Sequence, residues 1–590
     1  MTRWQKYGRP GWLAATVSLF LSLAVYQLGL PGLHYDEAKE AGVNAMELLH
    51  RAPVTAFRGA TVSLLGTDLP LMVQDYIGAL NVYLALPFLA ITGVGVPNLR
   101  LLPLLLAVLG LLVLERTISE WLALCDRNPV HTAPIAPAAL VCLTLLAAAP
   151  SFVFWQRQGI FITNATFPFT FACMWQSLHW LRRGQARSLI LAALCAGFAL
   201  YAKLLAAWII LPFGLTCAGW WLLTRPSVPF QSRQVKNWFG RLPVLLPLAA
   251  LAFWLPLTPF FLFNSQTSGT LLSLTQNFGS SYYGVNNAAI LSNATVRLQQ
   301  LLQTLTGSHF WYLGAIYQNP LAPWLTLALP AAALARSTGR RMVGPPLLLL
   351  IMAFAASLFT ISDLFVTHYA LLHPLAIAVT SVALCELWRW FAANPTAEEG
   401  KVYRRQNHGW RWTVLSQSKI SRQPIHRLAW EPALQLFLAL LVGACFLLDL
   451  RATAAYHAAL SRSGGLVDHS DATYRLAFDL RYGGLGAPIV LDWGLEATVR
   501  FLSAGTVTPI EVFGYASILQ PDESFTSQLE TFLDNPNNVY LLRSPGNELF
   551  QGRRAEFERL IDARNGRLLR EQVYSQRDGT PLYERWRVSY

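Results

Sequence analysis

Twelve apolar runs are spaced along the chain, at 11–30, 76–93, 98–115, 134–154, 159–181, 188–202, 204–223, 242–263, 320–335, 344–361, 366–388 and 433–450. A helix rising 1.5 Å per residue needs about 20 apolar residues to cross a bilayer core. The pattern predicts an α-helical polytopic membrane protein over residues 1–450. Longer polar stretches fall at 31–75, 264–310 and 389–428. Within the first, EAKEAGVNAMELLHR reads as an amphipathic helix lying along the membrane surface. Beyond residue 450 the apolar stretches shorten and charges become frequent. Residues 487–492 and 539–543 read as buried strands, and 495–503, 524–533 and 550–563 as helices. The last residues read as a hairpin turning at Asp578-Gly579. The expectation is a small α/β domain over 451–590. No internal repeat is visible.

Charge orients the bundle. Lys and Arg total 45 against 32 Asp and Glu, a net +13, and they cluster in short loops. That is the positive-inside pattern; with no recognised nucleic-acid motif, nucleic acid is excluded as a partner. Arg3, Lys6 and Arg9 put the N-terminus in the cytoplasm, and 11–30 is expected to be an uncleaved first helix. The loops 182–187, 225–241, 336–341 and 389–428 follow as cytoplasmic; the last has eight Lys/Arg against Glu398 and Glu399. Stretches 31–75 and 264–310 are then external, and so is the 451–590 domain. This alternation holds only if one early run does not span. Run 76–93 is expected to be re-entrant or interfacial, leaving about eleven spans, with eleven to thirteen by other counts. Trp311, Tyr312, Trp388 and Trp390 are expected as interface anchors. The seven Cys form no CxxC pair, so neither a zinc site nor a disulfide framework is indicated.

Against this background one stretch stands out. Asp36 and Glu37, in His34-Tyr35-Asp36-Glu37-Ala38, follow the first run directly. Carboxylates are costly beside hydrocarbon and call for a reason. The plain reading is a solvated helix end. The functional one is a base whose pKa rises in a low-dielectric setting.

Five motifs in order resemble the GT-C membrane glycosyltransferases, with the bacterial relatives of protein O-mannosyltransferases and of the aminoarabinose transferase of lipid A as the nearest likeness. They are HYDEA at 34–38, PNLRLLPLLLAVLG at 97–110, APSFVFWQRQ at 149–158, ALYAKLLAAWIILPFGL at 199–215 and THYALLHPLAIAV at 367–379. The resemblance implies a GT-C-like fold and transfer of a sugar, with inversion, from a polyprenyl-phosphate donor to an acceptor on the outer face. The sugar stays open, and so does the acceptor, be it protein, lipid or glycan. Asp36 is then the candidate general base, with Glu37 orienting it or binding a hydroxyl. The leaving phosphate needs positive charge or oriented donors, for which Lys203, Arg157, Arg58, His368 and Tyr369 are the candidates. Arg100 is expected to be structural. Where many members carry Lys-Pro-Pro-Leu, this chain reads VQDYIGALNVYL, with Asp75 and Tyr76 near that position. These two, with His34 and Tyr35, are candidates for substrate contact. A divalent cation held by the acidic pair with His34 and Asp75 is not favoured, and no cofactor is called for. Stretch 264–310, with Tyr282, Tyr283, Asn286 and Asn287, is a candidate lid.

Two rival classes remain. A transporter or lipid flippase would show repeats and midplane charges. A receptor or scaffold displaying the tail domain would leave Asp36, Glu37 and Lys203 without a task.

Overall fold

The computed structural model describes residues 8–125, 136–159, 165–224, 232–392, 427–514 and 517–590. The basic stretch 389–428 lies outside them except at its two ends. The first helix, α1 (Arg9–Val25), leads into a buried helix, α2, that runs Tyr35–Glu37, through a π-turn at Ala38–Gly42, and on through Val43–His50. Two hairpins follow, β1 (Thr61–Leu64) with β2 (Thr67–Pro70) and β3 (Met72–Gln74) with β4 (Ile77–Gly78). Next come α3 (Leu80–Thr92), α4 (Val96–Cys125), α5 (Ala136–Ala148), α6 (Pro150–Gln158), α7 (Thr166–Arg183), α8 (Ala186–Ala202) and α9 (Ala207–Thr224). The second half holds α10 (Ser232–Trp254), α11 (Thr258–Thr267), α12 (Gly269–Gln276), α13 (Ile290–Thr306), α14 (Leu321–Leu334), α15 (Ser337–Ala356), α16 (Leu372–Ala392) and α17 (Arg427–Ser463).

Among the described residues, five helices are long and apolar enough to cross a membrane, or six if α5 and α6 count as one bent span. The break falls at Pro150, which has no N–H to continue the ladder of α5, and α6 leaves at 70°. The expected single run 134–154 is therefore two helices. At 13 residues α3 is about 20 Å long, one of several apolar helices shorter than a bilayer core. Helices α4 and α7 approach so closely at Gly110 that a Cβ there would lie 2.1 Å from Phe167 Cε1.

Helix α17 runs 37 residues, through the expected boundary at 450, and ends at Ser463. Its apolar code stops earlier than its backbone hydrogen bonding, which is why the pattern broke there. After it come α18 (Ala472–Tyr482), β5 (Ile489–Val490), α19 (Glu496–Leu502), β6 (Ile510–Glu511), α20 (Glu523–Leu533), β7 (Tyr540–Arg543), α21 (Arg553–Asp562), β8 (Arg567–Ser575) and β9 (Pro581–Ser589). The sheet order is β6-β5-β7-β9-β8, with β5 parallel to β6 and β7, and β9 antiparallel to β7 and β8. The expected strands, three helices and closing hairpin are present. Strand β6, two residues long, and α18 had no strong pattern.

Candidate active site

Helix α2 does not lie along a membrane surface. Residues 35–38 and 40–47 are all buried, packed between α3 and the start of α4 on one side and the C-terminal domain on the other. Gly42 lets Phe501 of α19 approach: a Cβ would stand 2.8 Å from Phe501 Cδ2. Arg500 pairs with Glu47 at 3.0 Å and Lys39 with Glu496 at 3.8 Å. Tyr474 donates to Gly29 O at 2.7 Å. The domain is thus a roof over the first loop of the bundle.

The adjacent acids part company within this setting. Glu37 accepts two bonds from Arg100 of α4, at 2.6 and 2.7 Å. Arg100 also donates to Leu28 O, Pro31 O and Gly32 O. With His34, Glu37 completes the capping box that starts α2. Glu37, expected to orient Asp36 or to bind a hydroxyl, is half of a buried clamp that fixes the end of α1 to α4. Arg100 has the structural role expected of it.

Asp36 turns the other way. It is 7% exposed, and burial pushes its carboxyl up from the usual 3.8 to about 6, against the lowering fields of His34 and Lys203; Glu40 and Asp468 add to the rise. Its N–H donates to His34 Nδ1 at 3.2 Å, and the same nitrogen lies 3.2 Å from its Oδ2. Lys203, 1% exposed, sits where α8 ends, its backbone extended before the next turn. Burial lowers its ammonium to about 8, while Glu40 and Asp36 hold it up. Its Nζ stands 5.7 Å from the Tyr76 ring, and the following N–H, of Leu204, donates to Tyr76 O at 3.1 Å. The phenol of Tyr76 is raised by burial and by its neighbours Tyr283, Asp36 and Glu40. Asp36, Glu40 and Lys203 therefore form one buried cluster, with half-buried Tyr76 against it and His34 at its edge.

Glu40, 1% exposed, was not anticipated. The signal was its spacing: four residues from Asp36, it faces the same side of a helix. The π-turn at Ala38–Gly42 lies on this stretch, as such turns often do at functional sites.

Other expected residues scatter. His368, just before α16, feels the charges of Lys203 and of Arg297, so it borders the cluster. Arg297 on α13 is a second buried cation near it, its Nη2 3.5 Å from His368 Nδ1 and its Nε donating to Ser357 O at 2.8 Å. It is the lone Arg of the polar stretch 264–310, a legible oddity. Tyr369 is wholly buried, its hydroxyl 3.0 Å from Ser357 Oγ, and serves packing. Arg157 donates through Nη2 to Gln27 O and Leu30 O, which pins α6 to the end of α1. Arg58 and Asp75 satisfy each other in a bidentate pair at 2.8 Å, partly open to solvent, so Asp75 does not join His34 and Asp36. No group of three metal-ligating side chains occurs among the described residues.

The roof contributes directly. His469 stacks between His34, with ring centroids 4.4 Å apart, and Tyr312, at 3.8 Å. Tyr312 is buried and donates to Gln158 at 2.8 Å, so it is no interface anchor; Trp311, Trp388 and Trp390 are exposed. Trp493 lies 4.6 Å from Tyr35, which therefore faces the roof. Asp468, paired with Arg543, adds its charge to the field on Asp36. Val467, just before it, has φ +50°, a rare conformation for a β-branched residue. Above the cluster, the 277–289 turn brings Tyr283 within reach of the Asp36 charge and is held by Asn287, which bonds Thr360 on both faces of its amide.

A multi-pass helical body under a small α/β roof is the GT-C membrane fold. Two solved structures of ArnT from Cupriavidus metallidurans share it, the apo state at TM-score 0.55 and 13% identity, and the form bound to undecaprenyl phosphate at 0.54 and 14%, each covering 98% of both chains. The archaeal oligosaccharyltransferase AglB from Archaeoglobus fulgidus, solved with an inhibitory peptide and a dolichol-phosphate, is a looser likeness, at TM-score 0.47 and 13% identity over 92% of this chain and 70% of its own. No family model matches the sequence, and no curated protein sequence does.

Proposed function

We propose that this protein is an integral membrane glycosyltransferase that moves a sugar from a polyprenyl-phosphate donor to a hydroxyl acceptor at the extracytoplasmic face, with inversion. The observation that carries the reading is Asp36, buried and opposed to Lys203, in a fold shared with a protein solved with undecaprenyl phosphate bound. Asp36 takes the acceptor's proton as its oxygen bonds the anomeric carbon. The bond from that carbon to the phosphate oxygen breaks, and its electron pair leaves with the lipid phosphate. Lys203 balances that growing negative charge where water is excluded; Tyr76 and His368 border it. Glu40 keeps Lys203 charged between turnovers. Arg58 and Arg157, engaged elsewhere, are left out.

The test is release of undecaprenyl phosphate from an undecaprenyl-phosphate sugar by the purified protein in nanodiscs with a cell-envelope extract as acceptor. Release is expected from wild type, is lost in Asp36→Asn and is reduced in Lys203→Gln. Unchanged release in the Asp36 variant removes the base assignment, and no release from wild type removes the enzyme reading.

A further inference from the structure

The β1–β2 hairpin has no part in the chemistry above, yet it is built in a costly way. Its register pairs Val62 with Leu69 and Leu64 with Thr67, while Ser63 faces Asp68 and Thr61 faces Pro70. Directly opposed residues share a face, so one side carries Val62, Leu64 and Leu69 with Thr67 beside the turn, and the other carries the polar Ser63 and Asp68, which bond each other. The turn is Leu65-Gly66, both with positive φ, +52° and +78°. Such a turn favours Asn-Gly or Asp-Gly. Here a leucine takes the strained position and stands 98% exposed. A two-stranded hairpin is marginal alone in water, and among the described residues nothing covers Val62, Leu64 or the tip, which stay exposed.

Its base shows what covers it. Gln266 donates to Thr61 O at 2.9 Å, and Gln266 lies in the last turn of the membrane-length segment Pro243–Thr267, whose Phe261 and Leu262 are also exposed. Tyr83 of the apolar helix α3 holds Pro70 O at 2.5 Å. The hairpin therefore springs from the level at which this surface leaves the bilayer, and its only charge, Asp68, is on the polar side. We infer that the β1–β2 hairpin lays its apolar face on the bilayer and inserts Leu64 and Leu65 into the headgroup–acyl boundary of that leaflet.

Spin labels at Leu65→Cys and, separately, at Ser63→Cys test this on the full-length protein in phosphatidylcholine nanodiscs, with labelled wild type as background for the seven native cysteines. Both sites are exposed, so labelling leaves the fold intact. Oxygen is expected to relax the label at 65 more than a water-soluble nickel chelate does, with the order reversed at 63. Nickel dominating at 65 overturns the inference in favour of an open hairpin. Protection of 65 from both reagents overturns it in favour of cover by another protein or a second copy.

Discussion

Replacing Asp36 by Asn should make the protein more stable while it stops transfer. Burial lifts the carboxyl from 3.8 to about 6, which disfavours its ionised form by roughly 3 kcal/mol relative to water, at 1.36 kcal/mol per pH unit. The sign follows from linkage. A group with a raised folded pKa binds its proton more readily in the native state, so stability grows as pH falls from about 6 towards 4 and is lowest above 6. Asparagine has the same shape and no charge, and Lys203 still faces Glu40. The variant should therefore gain up to roughly 3 kcal/mol at pH 8, and about a third of that at pH 4.5. If the 590 residues unfold together at about 2 cal/mol/K each, Tm rises by roughly 2 °C at pH 8. Thermal unfolding of both proteins in one detergent, at the two pH values, reads the difference. A variant no more stable than wild type at pH 8, or one stabilised equally at both pH values, would show that Asp36 carries no burial penalty and refute the reasoning. Retained transfer would refute the base.

Transfer should follow a bell in pH, rising through about 6 with Asp36 and falling through about 8 with Lys203, and dropping roughly tenfold between pH 7 and pH 5; initial rates across pH 5 to 9 check it. Lys203→Gln should erase the alkaline limb and, since Lys203 lowers the Asp36 pKa, move the acid limb upward in whatever activity remains. Arg100→Ala leaves Glu37 buried without its counter-charge and should cost about 3–5 kcal/mol, while the pair Glu37→Gln with Arg100→Met should cost less; unfolding midpoints decide. Gly42→Leu must displace Phe501, so limited proteolysis should cut the C-terminal domain faster while far-ultraviolet circular dichroism of the bundle holds.

Much of this site was legible in the sequence, and the limit is set by contact range. Apolar runs announce helices because membrane burial acts on each residue locally, and Asp36 and Lys203 stood out because charge at the end of such a run is costly. His469, Trp493 and Asp468 lie more than 400 residues from Asp36 and had no local sign of their role, since the roof's seat on α2 is fixed only by tertiary contacts such as Phe501 on Gly42. The place of Glu37 was not legible. Adjacency in sequence suggested a joint task for the acidic pair, but neighbours on a helix point about 100° apart, and it is residues three or four apart that share a face. Asp36 therefore meets Glu40 and Lys203, while Glu37 points at Arg100. The pair divides into the proposed base and a clamp beside it. The clamp spends both carboxylate oxygens of Glu37 on Arg100 and fixes the helix start that carries Asp36, whose burial has an energetic cost.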